Sequence, residues 1–173
     1  MKREKNGLRS HQLTEVGLIA AIYAVVTIAI APLGYGPVQF RATEALTLLP
    51  MLTPMGVYGV TLGCAISNAA GVAMGQTVLP DVIIGTAATL IAAVITRIFR
   101  NKTRVFSVSV VSLLAPVLVN AVMVGAELSY FFSADTFWEC ALSVGAGELA
   151  VVCLLGIPLL LTLRRTKLFD MYK

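Results

Sequence analysis

Long intervals without a charged residue constrain this chain more than any other feature of its sequence. Residues 16–40 carry no charge over 25 positions, and 36 uncharged positions separate Glu44 from Asp81. A helix needs about 20 apolar residues to cross the hydrocarbon core of a bilayer. Because 58% of the residues are hydrophobic and only 13% are charged, a soluble globule of this size would leave too much apolar surface in water. The chain is therefore predicted to be an integral membrane protein.

The same intervals predict an all-α, polytopic fold with six transmembrane helices in one domain, residues 1–173. Pro50 and Pro54 interrupt the interval after Glu44 and leave room for only two short helices joined by a tight turn. Glu44 is then expected at membrane depth. The predicted helices cover residues 14–31, 41–52, 54–74, 81–99, 105–130 and 137–163.

Lysines and arginines cluster before the first predicted helix, between the fourth and the fifth, and after the sixth. Cytoplasmic loops of membrane proteins carry the excess of these residues, so six crossings place all three clusters and both termini in the cytoplasm. A five-crossing alternative, with a re-entrant second segment, would put the middle cluster outside. The clusters form no stripe interleaved with aromatics, so the bilayer of the cell membrane is an expected partner and nucleic acid is not. They comprise Lys2, Arg3, Lys5 and Arg9, then Arg97, Arg100, Lys102 and Arg104, and finally Arg164, Arg165 and Lys167.

Several polar and ionisable residues are expected inside the membrane, most of them toward its outer side. Burial at that depth costs several kcal/mol unless the side chain faces the interior of the bundle or water, so each is a candidate for function. One shared cavity that opens outward would satisfy them all. The candidates are Arg41, Glu44, Asn68, Asp81, Asn120, Glu127 and Glu148.

Each of these candidates also has a structural alternative. Arg41 and Glu44 stand at i and i+3 and can pair with each other. Asp81 can cap the start of its helix and interact with the helix dipole. The sequence favours this structural role for Asp81. Glu127 and Glu148 have no basic residue nearby in the sequence and are the strongest functional candidates.

Aromatic and small residues supply two further hypotheses. Near the expected outer mouth, aromatic rings either stack on a flat ligand or belong to the interfacial belt. On the first helix, small residues four apart would let another helix approach closely in lipid, although alanine-rich helices contain such rows by chance. The aromatic candidates are Tyr35, Phe40 and Trp138, and the small-residue row is Gly17, Ala20, Ala21 and Ala24.

No constellation typical of an enzyme or a metal site is recognisable. His11, the single histidine, precedes the first helix, and the three cysteines have no metal-ligand spacing. We therefore expect a chain without catalytic residues, metal ligands or a cofactor of its own.

Four stretches of the sequence resemble the QueT-type S-components, which are substrate-binding subunits of energy-coupling factor (ECF) transporters. The similarity extends from the first to the sixth predicted helix. Its most specific part is the motif F-R-A-T-E-A-L-T-L-L-P at residues 40–50. The four stretches are residues 38–50, 63–68, 81–90 and 145–149.

The resemblance implies a subunit that captures a 7-deazaguanine precursor of queuosine, such as its aminomethyl form, or queuine, at the outer face. Such a subunit is not an enzyme. ATP is hydrolysed by two cytoplasmic ATPase subunits, which act through a transmembrane T-component, and the absence of a Walker motif here agrees with that division. Ala20 and Ala24 resemble the small-residue motif that packs on the T-component.

A guanine-like ligand would suit the polar candidates. Its edge presents two adjacent N–H donors beside a carbonyl, so one carboxylate can accept from the donors while an amide donates to the oxygen. Glu127 or Glu148 fits the first role, and Asn68 or Asn120 the second. The remaining carboxylate can neutralise an aminomethyl cation, and the aromatic candidates can stack on the ring.

Two other functions stay open on the sequence alone. The chain can be an S-component for another vitamin-like heterocycle, because a few side chains distinguish such pockets. It can also be a small proton-coupled transporter in which buried carboxylates relay protons.

Overall fold

The fold is a bundle of helices with one short hairpin, in a computed structural model that describes residues 2–30, 41–102, 104–105, 108–132, 136–166 and 169. A π-helical turn, Val152–Gly156, joins α5 and α6 into one continuous helix. The helices are α1 (Lys2–Ala29), a 3₁₀ helix (Ala42–Met51), α2 (Met55–Ala73), α3 (Leu79–Ile98), α4 (Val110–Phe132), α5 (Phe137–Val151) and α6 (Ile157–Arg165), and the strands are β1 (Arg104–Val105) and β2 (Val108–Ser109).

Five described segments are long and apolar enough to cross a membrane, which confirms an all-helical, multi-pass membrane protein. The remaining predicted crossing, at residues 41–52, is a 3₁₀ helix rather than an α-helix. Six spans and cytoplasmic termini stay predictions. The five segments are Ser10–Ala29, Met55–Ala73, Leu79–Ile98, Val110–Phe131 and Phe137–Arg165.

The 3₁₀ helix lies at the centre of the bundle and contacts all six α-helices. Eight of its ten residues are buried. Both of its ends are held along α3. At the start, Nη2 of Arg41 lies 3.0 Å from Oδ2 of Asp81, and at the end Nη1 of Arg97 donates to the carbonyl oxygen of Pro50 at 3.2 Å.

The 3₁₀ geometry explains how so short a segment follows the length of α3. Between Asp81 and Arg97, α3 rises by about 24 Å at 1.5 Å per residue. Residues 41–50 rise by about 18 Å as a 3₁₀ helix but only about 14 Å as an α-helix, and the two long arginine side chains bridge the difference. A 3₁₀ run of ten residues is unusual because its hydrogen bonds are poorly aligned, so the tertiary contacts must hold it.

Two predicted helix starts were wrong. Helix α1 begins at Lys2 instead of residue 14, because the basic segment before the apolar run contains no proline and continues the helix. The fifth predicted helix starts at Val110 instead of residue 105, because Val105 and Val108 pair across the β1–β2 hairpin, where β-branched residues are favoured.

Helices α1 and α2 approach closely through a pair of glycines four residues apart. A Cβ atom at Gly59 would lie 2.6 Å from Cβ of Ile19, and one at Gly63 would lie 2.6 Å from Cβ of Tyr23. Both distances are too short for real carbon atoms, so a larger side chain would push the helices apart. Close packing of this kind drives helix association in lipid, and it leaves Tyr23 fully buried.

Replacing Gly63 by alanine is expected to lower the thermal unfolding midpoint in detergent by about 2–10 °C, because overpacking a core contact costs about 1–3 kcal/mol. The matched control is Gly17→Ala in α1, where an added Cβ meets no atom within 4 Å. Equal midpoints for the two variants would contradict this account of the α1–α2 contact.

Candidate functional site

A buried ion pair joins the start of the 3₁₀ helix to the start of α3. Nη2 of Arg41 lies 3.0 Å from Oδ2 and 3.4 Å from Oδ1 of Asp81. The two residues are only 7% and 3% exposed. The hydroxyl of Thr77 also donates to Oδ2 of Asp81, at 2.6 Å.

This pair corrects two sequence interpretations. Arg41 pairs with Asp81, 40 positions away, rather than with Glu44. Asp81 is not the cap of its helix, because Val78 occupies the N-cap position and no side chain caps it. A carboxylate in the first turn still complements the helix dipole, so that part of the interpretation is compatible with the structure.

Asn68, near the end of α2, ties that helix to the ion pair. Its Nδ2 donates to the carbonyl oxygen of Asp81 at 3.0 Å. Gly85 makes room for the arrangement, because a Cβ there would lie 2.8 Å from Nδ2 of Asn68 and 3.2 Å from Oδ1 of Asp81. Asn68 and Asp81 thus belong to a structural network at this end of the bundle.

Glu44, one turn into the 3₁₀ helix, is held from α1. The hydroxyl of Tyr23 donates to its Oε1 at 2.6 Å, and both residues are buried. A neighbouring bond between the hydroxyls of Thr27 and Thr43, at 2.8 Å, ties the same two elements together. Sequence reasoning missed Tyr23, although a tyrosine in the middle of an apolar helix, away from the interfacial belt, indicates a buried partner.

Glu148 of α5 is held by Asn120 of α4, whose Nδ2 donates to Oε1 of the carboxylate. Small residues bring the two helices together between this bond and the connection from α4 to α5. A Cβ at Gly125 would lie 2.8 Å from Cα of Ala141, and one at Gly145 would lie 3.3 Å from Cβ of Ala121.

Glu44, Asn120 and Glu148 meet at one small cavity, whereas Asn68, Asp81 and Glu127, which the sequence placed in the same cavity, do not line it. The Oε2 atoms of Glu44 and Glu148 are buried and accept no hydrogen bond from any described residue. Buried acceptors without donors suit a molecule that brings N–H groups or a positive charge. The cavity has room for about one water molecule. Its lining residues are Arg41, Glu44, Asn120, Val124, Val144 and Glu148.

Glu127 and Glu148, the two carboxylates that the sequence favoured most as functional residues, lie in different places. Glu148 lines the cavity, whereas Glu127 does not. Glu127 is nevertheless only 3% exposed, and neither of its oxygens has a hydrogen-bond partner in the part of the chain that is described. It lies close enough to Arg41 and Asp81 to interact with their charges.

The aromatic candidates do not line the cavity where the structure describes them. Trp138 is 72% exposed and packs edge-on against Phe137, with ring centroids 5.0 Å apart, as expected of a belt residue. Its predicted stacking on a ligand is therefore at odds with its position. Tyr35 and Phe40 lie outside the described residues.

The small-residue row of α1 divides between two faces. Ala20 and Ala24 are buried within the chain, at 2% and 5% exposure, and the carbonyl of Ala20 faces Gly63 of α2. Gly17 and Ala21 are exposed. Of these four residues, only Gly17 and Ala21 are accessible to another protein in this arrangement of helices.

The sequence profile of the QueT transporter family matches residues 13–165. The chain belongs to the QueT transporter family. A similar curated protein, the queuosine precursor transporter QueT of Lactococcus lactis subsp. cremoris (strain MG1363), is 30% identical over 93 residues, which are 53% of this chain. The chain spans about half of that relative, as the match covers 50% of its length. No solved structure matches the chain significantly.

Membership of the QueT transporter family confirms the predicted resemblance. Across the described ranges, no three histidine, cysteine, aspartate or glutamate side chains are grouped so that they could hold a metal ion.

In this QueT family protein, Asp81→Asn is expected to lower the free energy of unfolding in detergent by about 3–5 kcal/mol, because Arg41 would lose the carboxylate that it contacts at 3.0 Å in a buried position. Adding Arg41→Gln should recover about 1–3 kcal/mol of that loss. A double-mutant cycle measured by unfolding in detergent tests this. The control is Lys102→Gln, which removes an exposed charge in the turn after α3 and should change stability by less than about 0.5 kcal/mol. Strictly additive effects of the two substitutions would argue against the pair as the link between the 3₁₀ helix and α3.

Proposed function

We propose that this chain is the substrate-binding component of an ECF-type importer in the cell membrane, which captures a 7-deazaguanine precursor of queuosine, or queuine, at the outer side. One observation carries the proposal. Glu44 and Glu148 present buried oxygens without donors to one cavity, in a chain that belongs to a transporter family. The name of the Lactococcus lactis relative, a queuosine precursor transporter, supports the class of substrate.

The pair of Glu148 and Asn120 suits the edge of a guanine-like ring. Oε2 of Glu148 can accept from the two adjacent N–H groups of that edge, and such charge-assisted bonds are the stronger class of hydrogen bond. The amide of Asn120 carries a second N–H, which can donate to the neighbouring carbonyl of the ligand. Val124 and Val144 supply apolar surface for the faces of the ring.

Binding requires the walls of the cavity to move. Its present space holds about one water molecule, whereas a fused two-ring ligand is several times larger. Helices α4 and α5 form one wall, where Val124 and Val144 pack in one buried apolar cluster, so opening there has to separate these two side chains. We assign ligand entry to a rearrangement at this wall.

In this proposal the chain binds and releases its substrate but performs no chemistry. ATP is used by two partner ATPase subunits in the cytoplasm and acts through a T-component in the membrane. The exposed part of the small-residue row, Gly17 and Ala21, is the surface of α1 that such a helical partner can approach closely. Import by the assembled complex should require ATP and persist when an uncoupler removes the proton gradient, whereas a proton-coupled transporter would stop.

The small molecule that co-purifies with the detergent-solubilised protein is expected to be a 7-deazapurine. Mass spectrometry of the extracted compound, together with its ultraviolet spectrum, tests this expectation. Recovery of a different planar vitamin in stoichiometric amount would overturn the proposed substrate while leaving the transport function in place.

Glu148→Gln is expected to weaken binding of a 7-deazaguanine by about tenfold or more, because a charge-assisted hydrogen bond is lost. Glu139→Gln is the matched control, since it makes the same change at an exposed position on the same helix and should leave the affinity unchanged. The measurement is titration calorimetry on the purified protein. Unaltered affinity in Glu148→Gln would contradict the role of this cavity.

A further inference from the structure

We propose that Arg97 and Arg100, at the end of α3, bind the phosphate of an anionic phospholipid headgroup. Both residues belong to the middle basic cluster of the sequence. The site is separate from the cavity, because Arg97 lies about 24 Å along α3 from Asp81 and its ion pair. It would therefore bind lipid whichever substrate the cavity takes.

Two guanidinium groups lie close together at this end of α3 without an acid to pair with. Arg97 and Arg100 are near enough to interact as like charges. Like charges one turn apart on a helix repel each other. In the part of the chain that is described, neither arginine forms an ion pair with a carboxylate. An anion bound between them would offset this repulsion.

Both arginines have N–H donors left for such an anion. Arg97 donates from Nη1 to the carbonyl oxygen of Pro50 at 3.2 Å, and Arg100 donates from Nη1 to the carbonyl oxygen of Arg97 at 3.4 Å. A guanidinium group carries further N–H groups, and these match phosphate oxygens in pairs. Both residues are half-buried, so a headgroup can reach them.

The surface beside the arginines favours a lipid over a free anion or a protein. Helix α3 is long and apolar enough to cross a membrane, so the arginines lie where such a helix meets the headgroups. Ile91, Val94 and Ile98 form an exposed row on one face of this helix, which acyl chains can cover. A phospholipid supplies both the phosphate and the acyl chains. An anionic lipid suits the site better than a zwitterionic one, whose choline cation would lie beside two positive charges.

A lipid bound here would also stabilise the central 3₁₀ helix. Arg97 holds the end of that helix through the carbonyl oxygen of Pro50. A phosphate that offsets the repulsion from Arg100 keeps Arg97 in this position. Because a ligand that binds only the folded state stabilises it, an anionic lipid should raise the unfolding midpoint more than a zwitterionic lipid does.

The test compares phosphatidylglycerol with phosphatidylcholine of the same acyl chains, on the full chain in detergent. Native mass spectrometry measures the affinity for each lipid, and thermal unfolding measures the midpoint. The wild type should bind phosphatidylglycerol at least about tenfold more tightly, the scale of one charge-assisted hydrogen bond, and should unfold about 2–4 °C higher with it.

Arg100→Gln should reduce this preference to less than about threefold, because it removes one of the two guanidinium groups and leaves the bond from Arg97 to Pro50 in place. The matched control is Arg165→Gln, which removes the same charge at an exposed position in the last turn of α6. The control should keep the preference of the wild type.

Four results would overturn the proposal. Equal binding of the two lipids by the wild type excludes the site. An equal loss in Arg100→Gln and Arg165→Gln indicates general attraction to any surface charge. Displacement of phosphatidylglycerol by inorganic phosphate assigns the arginines to a free anion. Unchanged lipid binding in Arg100→Gln, together with loss of co-purifying transporter subunits, assigns them to an acidic protein surface.

A second pair of variants covers the case in which Arg100→Gln does not fold. Arg100→Lys keeps the positive charge but loses the paired donors that match a phosphate, so it should still weaken phosphatidylglycerol binding by about threefold or more. Arg165→Lys is its control and should bind this lipid as the wild type does. Equal affinities of these two variants would contradict the role of Arg100.

Discussion

The site depends on the buried ion pair between Arg41 and Asp81. This contact holds the start of the 3₁₀ helix against α3, and the bond from Arg97 to the carbonyl of Pro50 holds its end. Glu44 then projects into the bundle one turn beyond the pair. Arg41 also lines the cavity, so one interaction decides both where the central segment lies and where its guanidinium stands beside the two glutamates.

Glycines permit the close helix contacts on which this arrangement relies. Gly63 leaves room for Tyr23, which bonds Glu44, Gly85 leaves space beside the ion pair, and Gly125 brings α4 against Ala141 of α5. In lipid, helices gain little from hydrophobic association, so short interaxial distances and interhelical hydrogen bonds hold a bundle together. The same small residues that stabilise the bundle therefore bring its polar groups within bonding distance.

Much of the fold could be predicted from local pattern, but the partners of each side chain could not. The predicted helix at residues 54–74 differs from Met55–Ala73 by one residue at each end. The cost of burying polar groups in a membrane led us to expect all the polar candidates in one cavity, but Asn68, Asp81 and Glu127 do not line it. By contrast, the partner of Arg41 lies 40 residues along the chain, and the nearby Glu44 was the only partner that helical spacing could suggest. Trp138 shows the same limit, because the side of the helix on which it lies depends on the rotation of α5.

The sequence by itself determined that the chain is a helical membrane protein and which of its polar residues lie within or beside apolar segments. These properties depend on the length and polarity of continuous segments, which any reader of the chain can measure. Only the tertiary structure decided that the short segment after Arg41 is a 3₁₀ helix, that Tyr23 holds Glu44, and that Glu148 rather than Glu127 lines the cavity. Those outcomes depend on how each helix is rotated and how closely it meets its neighbours, and glycine contacts between distant parts of the chain set both.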